Sequence, residues 1–330
     1  MAGRAFAFAD PEIIRLARTE FVPACADDWY QRRRSDSEGA FWKRITSQGP
    51  RSADAPTHQG IYIFTADGEL LAFKNAGQNV QATRDQIGLA MRKWNALPAE
   101  RRKPGAIAIP EHGQPDRNYS RTPPDGGLII RVHARLLDRK GDGYVKGSCD
   151  FAGGDRAARD FLWLDSRDVN AIAMIRGSRG HKAALPNALV RRILRFHLVD
   201  NTRGEPEFWM PEDVRSNAMI ATVEDTTTEG VTLRIDGEAF LATDADQDKA
   251  DRGYEVKLTG KIRVSAERVI KRFELVAIGD HWGSAKHTRN GERPGRGLLG
   301  ITFELADPKI TSNRVAPQGA RDAVAYFRPN

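Results

Sequence analysis

Alternation of apolar and polar side chains dominates the second half of this chain. Tyr254, Val256, Leu258, Gly260, Ile262 and Val264 stand at every second position, Phe273, Leu275 and Ala277 repeat the pattern, and Val231, Leu233 and Ile235 precede it. Successive side chains of a strand point to opposite faces, so this spacing predicts an antiparallel sheet with one buried face. Residues 128–137 open the region as a strand-like run and residues 298–305 offer a last strand. Two helical segments lie between. The clearer one, residues 186–196, carries Leu189, Val190, Ile193 and Leu194 on an apolar side, with Arg191, Arg192 and Arg195 expected outside. A meander or open barrel with this helix packed against it is the simplest architecture.

The first half alternates helix and strand signals. Asp10-Pro11-Glu12 is a helix start: an N-cap carboxylate, a proline where no donor is lost, and an acid facing the helix dipole. Ile13, Ile14, Leu16 and Ala17 then form the apolar side of a short helix. Phe21-Val22-Pro23-Ala24-Cys25-Ala26 reads as a buried strand, in which Cys25 would be a small inert hydrophobe. Asp27-Asp28 turns the chain into a second helical stretch holding Trp29, Tyr30, Phe41 and Trp42. Gly60-Ile61-Tyr62-Ile63-Phe64-Thr65-Ala66-Asp67-Gly68-Glu69-Leu70-Leu71 has apolar runs flanking Asp-Gly, a hairpin signal. A helix over residues 83–96 closes the unit, with Ile87, Leu89, Ala90, Met91 and Trp94 near one face.

Helix, Phe-Val-Pro strand, helix, hairpin and closing helix in this order resemble the later part of a thioredoxin-like domain, over residues 10–97. The resemblance implies an incomplete thioredoxin-like α/β scaffold. It implies no thiol–disulfide chemistry, because no Cys-x-x-Cys motif exists in the chain. Residues 97–104 combine two prolines with four charges and read as a linker. The expected class is therefore α+β: a domain over residues 1–104, followed by a β-rich domain over residues 105–330.

Composition narrows the functional classes. Fifty-one Lys and Arg against 44 Asp and Glu give a net charge of +7, which favours anionic partners. Acidic residues interrupt the basic ones along most of the chain and no aromatic-interleaved basic stripe is visible, so nucleic acid is not expected. The longest apolar runs are far short of the roughly 20 residues that cross a bilayer. The N-terminal residues lack the apolar core of a secretory signal, so the chain is expected to be cytoplasmic as given, or exported with its signal already removed. Two cysteines, Cys25 and Cys149, exclude a disulfide framework and a cysteine-rich zinc site.

The candidate chemistry lies in two histidine-bearing knots. His197 ends the amphipathic helix, and Asp200, Arg203 and Glu205 follow in its loop. There Asp200 could orient an imidazole, Arg203 hold an anionic group and Glu205 act as acid or base. Asp280, His281 and His287 form the second knot, in which two imidazoles could chelate copper, iron or zinc, with Asp280 as ligand or second acceptor and His197 as a third donor. The plain structural alternative is turn chemistry, a helix-terminal histidine and ordinary ion pairs. Asp244, Asp246 and Asp248 match calcium-loop spacing, but Lys249 stands where such a loop needs glycine.

Two classes of function follow. One is a metal-assisted enzyme, an oxidoreductase, with metal ligands His197, His281, His287 and Asp280 and catalytic groups Asp200, Arg203 and Glu205. The other is a non-catalytic binding protein, with a redox-inactive thioredoxin-like scaffold and a β domain that holds a small or anionic ligand.

Overall fold

The computed structural model describes residues 7–51, 55–75, 79–108, 113–147, 157–284 and 295–329. The chain divides into an N-terminal unit, Gly3–Arg121, and a C-terminal unit, Thr122–Asn330.

In the N-terminal unit, helix α1 (Pro11–Thr19) starts as its sequence predicts, with the Asp10 carboxylate accepting from the amides of Glu12 and Ile13. Short helices α2 (Asp28–Gln31) and α3 (Ser37–Thr46) follow, capped by Asp27 and Asp36. Strands β1 (Ile61–Phe64) and β2 (Leu70–Lys74) form the antiparallel hairpin, and Gly68 takes the positive φ of 84° that its turn needs. Helix α4 (Val80–Ala96) packs Ala90 against Leu71 and Ala72 of β2, with Ile63 and Trp94 at the margin of that cluster, and the single-turn α5 (Ala99–Arg102) follows it.

Residues 21–27 form no strand. Val22 is 96% exposed and Cys25 is exposed too, so the thiol is not the inert core group that the sequence pattern predicts. Pro23 supplies no amide donor, and a six-residue apolar run without a paired neighbour gains nothing from extending.

The boundary falls at residue 121, beyond the Pro- and charge-rich stretch at 97–104. Three residues tie the segment 116–121 to the N-terminal unit. Asp116 accepts from the Ser35 amide and hydroxyl at 3.0 and 2.9 Å, and its own amide donates to Asp36. The Tyr119 ring meets Trp29 at 5.7 Å, and Arg121 lies 5.9 Å over the Tyr30 ring.

The C-terminal unit is built on one antiparallel sheet. Strands β7 (Val214–Thr227), β8 (Gly230–Ala242), β9 (Arg252–Ser265), β10 (Ile270–Gly283) and β11 (Arg296–Leu305) run as a meander of nearest neighbours. Strand β3 (Leu128–Lys140) pairs with β11 along one edge, and its other edge is shared by β5 (Ala158–Leu164) and β4 (Gly143–Lys146). The short β6 (Lys182–Ala184) pairs with β7 at the far end. The inward residues of the alternating strands, among them Leu233, Val256, Leu258, Ile262 and Leu275, join Leu189, Val190, Ile193 and Leu194 of the helix in one core. The sheet thus offers the one-sided burial that its period-2 pattern demands.

The helix itself departs from its pattern. Helix α6 (Ser166–Ala173) is capped by Asp165, and α7 (Asn187–Arg192) continues into a π-type turn, Ile193–His197, closed by Leu198 N–H to Ile193 O at 3.0 Å. Arg192 is fully buried and Arg195 is 7% exposed, contrary to their expected outward position. The widened turn leaves the Arg195 carbonyl to accept from Trp209 N–H at 3.1 Å, and the Arg195 Nε donates to the Trp209 carbonyl at 3.0 Å. Buried this deeply, Arg192 and Arg195 need internal partners, and backbone carbonyls with the Asp168 carboxylate supply them.

Candidate functional site

His197 lies at the end of the π turn with its side chain fully buried. Its Nε2 is 2.8 Å from the Tyr326 hydroxyl, and its Nδ1 faces the Asp160 carboxylate at 3.4 Å. The Tyr326 hydroxyl also accepts from the Trp163 amide at 3.2 Å. Tyr326 belongs to helix α8 (Ala323–Phe327), held in turn by Arg192, which donates to the Tyr326 and Phe327 carbonyls at 2.7 and 3.3 Å, to Trp163 O at 3.0 Å and to Asp168 Oδ2 at 2.6 Å. Burial pushes the Tyr326 phenol well above its ordinary range, and the Trp163 amide and Arg192 only partly offset it. This is a closed polar network that fastens the last helix. With no exposed imidazole surface, His197 has no route to an external substrate.

Asp200, Arg203 and His281 are brought together at a second place. Arg203 Nε donates to Asp200 Oδ2 at 2.5 Å and its second arm reaches the Gly283 carbonyl at 2.9 Å, while the Thr202 amide and hydroxyl fill Asp200 Oδ1. Burial raises the Asp200 carboxyl, but the His281 and Arg203 charges and the Thr202 hydrogen bond outweigh it and hold the group below the usual carboxylate range. His281 stands opposite Tyr254 in the β9–β10 register, with ring centroids 5.8 Å apart. The Tyr254 hydroxyl donates to Leu299 O at 2.8 Å, and burial drives its phenol well above its ordinary value. Arg252, 4.0 Å over the Trp209 ring, closes a crevice of about 10 Å³ between these groups, room for about one water molecule.

The remaining sequence candidates separate. Glu205 pairs with Arg321 at the surface. Asp280 neighbours His281 on β10 and therefore projects from the opposite face, where it lies 3.8 Å from Arg139. His287 and Cys149 lie outside the described residues. Among the described residues no group of three or more His, Cys, Asp or Glu could hold a metal ion, and no helix is long and apolar enough to cross a membrane. The acidic run at Asp244 and Asp246 folds into exposed turns in which each carboxylate accepts the amide two residues on.

Two features of the unit escape a motif search. An open groove of about 710 Å³ is lined by Pro123, Pro124, Leu128, Ile129, Leu305 and Ala306, with Asp307, Lys309 and Arg314 at the same groove. Its volume lies within the roughly 300–1,000 Å³ range of ligand sites. Lys309 and Arg314 are exposed and make no side-chain ion pair among the described residues, whereas Asp307 accepts the Lys309 amide. The second feature is a row of basic side chains on β3, Arg131, His133 and Arg135, on the face opposite Val132, Ala134 and Leu136. The groove is made by segments far apart in sequence, and the row is an alternation on one strand whose neighbours only the sheet supplies.

Fold and sites define an α+β protein with a large antiparallel meander, a sealed histidine network and an open cationic groove. No family model, curated protein or solved structure matches the chain.

Proposed function

We propose that the chain is a non-catalytic binding protein whose C-terminal unit holds a small organic anion with an apolar body in the Pro123–Arg314 groove. The observation that carries this reading is the contrast between sites. The groove is ligand-sized, has an apolar floor and presents two cations without carboxylate partners among the described residues, whereas His197 is fully buried beside Tyr326 and Asp160 and the crevice at His281 has room for about one water molecule. The N-terminal unit serves in this reading as a redox-inactive thioredoxin-like scaffold, supported by the β1–β2 hairpin and the packing of α4 on it. Calorimetric titration with decanoate tests the ligand class. Saturable binding that weakens at least about fivefold in Lys309→Gln and in Arg314→Gln is expected, since each removes one exposed charge interaction. Absence of binding, or binding unchanged in both variants, overturns the reading.

One observation favours a second reading, a metal-assisted oxidoreductase: Asp200 and His281 approach each other around a crevice that opens beside Ser284. Metal analysis of the purified chain decides it. Stoichiometric copper, iron or zinc that is lost in His281→Ala and His287→Ala supports the enzyme, and metal-free protein removes it.

A further inference from the structure

The basic row on β3 is continued across the sheet. In register, His133 stands opposite Arg159 of β5 on one side and Thr302 of β11 on the other, while Arg131 and Arg135 flank it along its own strand. Directly opposed residues lie about 5 Å apart and same-face neighbours on one strand somewhat under 7 Å, so Arg131, Arg135, Arg159 and Thr302 are the four same-face neighbours of His133, each within reach of an anion seated over the ring. Arg159 donates its Nε to the His133 ring nitrogen at 3.3 Å, cation against base, where a carboxylate would ordinarily stand. Among the described residues the only carboxylate contact in the patch is Glu304 on Arg131, at 3.5 Å and largely exposed, and Arg131 also donates to Asn313 Oδ1 at 3.2 Å. The Nε atoms of Arg131 and Arg135 are buried with no hydrogen-bond partner, and Arg135 makes no ion pair among the described residues. Opposite Arg135 stands Gly300, which puts no polar side chain of its own beside the guanidinium.

Three guanidinium groups flank one imidazole and one threonine hydroxyl on a single face, with Glu304 as the one carboxylate against them among the described residues, and an anion between them would relieve their repulsion. A guanidinium presents its N–H groups as a fork that matches a tetrahedral oxyanion. We propose that Arg131, Arg135 and Arg159, with His133 and Thr302, form a binding site for a phosphate-class oxyanion, free or as a monoester. This site is separate from the groove and does not rest on the groove's ligand. Burial first, then the Arg159 and Arg131 charges, lower the His133 pKa against a weaker opposing effect of Glu304. A bound dianion reverses the sign of that field and raises it.

Titration of the full chain with inorganic phosphate at low salt tests the site. Saturable binding is expected, weakened at least about tenfold in Arg135→Met and in Arg159→Met, which keep an apolar stem, and unchanged in Arg234→Met, a surface arginine already paired with Asp236. No saturable binding, or equal weakening in all three variants, overturns the proposal. Ring resonances of His133 provide a readout independent of the variants' folding: its pKa rises when sulfate, a dianion throughout that pH range, is added to the unmodified chain, and a pKa that sulfate leaves in place also overturns the site. Sedimentation with phosphatidylcholine vesicles containing phosphatidic acid then separates the sources. Arg135-dependent co-sedimentation supports a lipid monoester, and phosphate binding without co-sedimentation supports a soluble one.

Discussion

Removing the Arg192 charge is the sharpest perturbation the fold allows. The guanidinium is fully buried against Asp168, whose side chain is 4% exposed, and it also carries three carbonyl oxygens from Trp163, Tyr326 and Phe327. Arg192→Met preserves much of the stem but leaves a buried carboxylate with only the Asp165 amide as donor and takes the Arg192 donor from three carbonyls. Breaking a buried pair from one side costs about 3–5 kcal/mol, and at 1.4 kcal/mol per factor of ten this is roughly two to three and a half powers of ten in the unfolding equilibrium. Hydrogen exchange of the β9 and β10 amides reads the C-terminal unit alone, because its slowest amides open only with the whole unit. Their exchange should accelerate by at least about a hundredfold. Asp168→Leu combined with Arg192→Met removes the orphaned carboxylate, so the double variant should lose less than the sum of its parts. Acceleration below about tenfold in Arg192→Met, or strict additivity in the double variant, would refute the claim that this pair fastens the last helix.

Gly253→Ala should destabilise the sheet by about 1–3 kcal/mol in urea titration, as overpacking does, because a Cβ there would stand 1.9 Å from the Trp282 ring that covers the glycine; an unchanged midpoint would show that the ring moves freely. Hydrogen bonding from Arg34, opposed by burial and joined by the Asp116 and Gly39 amides, holds the Asp36 carboxyl far below its ordinary range. Its contribution is complete above the unfolded value of about 4 and is lost as pH falls through the lower folded value. Asp36→Asn should therefore weaken the N-terminal unit at neutral pH and flatten its acid dependence, and a parallel acid profile would contradict this. Burial, opposed by Arg51 and aided by Asp28, pushes the Tyr62 phenol up to about 12, so its contribution is present below the unfolded value of about 10 and lost as pH rises through the folded one. Ultraviolet titration should show Tyr62, Tyr254 and Tyr326 silent until alkaline unfolding, and a single smooth ionisation near pH 10 in folded protein would exclude it.

The division between what the residues announced and what they concealed follows from the range of the forces involved. Asp10 caps α1, Asp-Gly turns the β1–β2 hairpin, and the alternation through β8, β9 and β10 builds the meander, because caps, turns and strand faces are decided within a few positions of the chain. Residues 21–26 failed where a strand needed a neighbour that local pattern does not supply. The helix ending at His197 failed in the other direction. Its apolar face was legible, but the carbonyls that receive Arg192 come from residues 163, 326 and 327, and no window around residue 192 contains them. The site residues divide in the same way. Asp200 and Arg203 lie close in sequence and meet in space, whereas His197 and His281 each take a different phenol, Tyr326 and Tyr254. For His197 and His281, then, density along the chain did not translate into a shared ring partner, and His287 lies outside the described residues. Arg159 meets His133 although the strand that carries it was not foreseen, because sheet register brings together cations that sequence order keeps apart. Where three guanidinium groups are gathered against a single exposed carboxylate, the excess of positive charge is what argues for an external anion, and that excess becomes readable only once strands are paired.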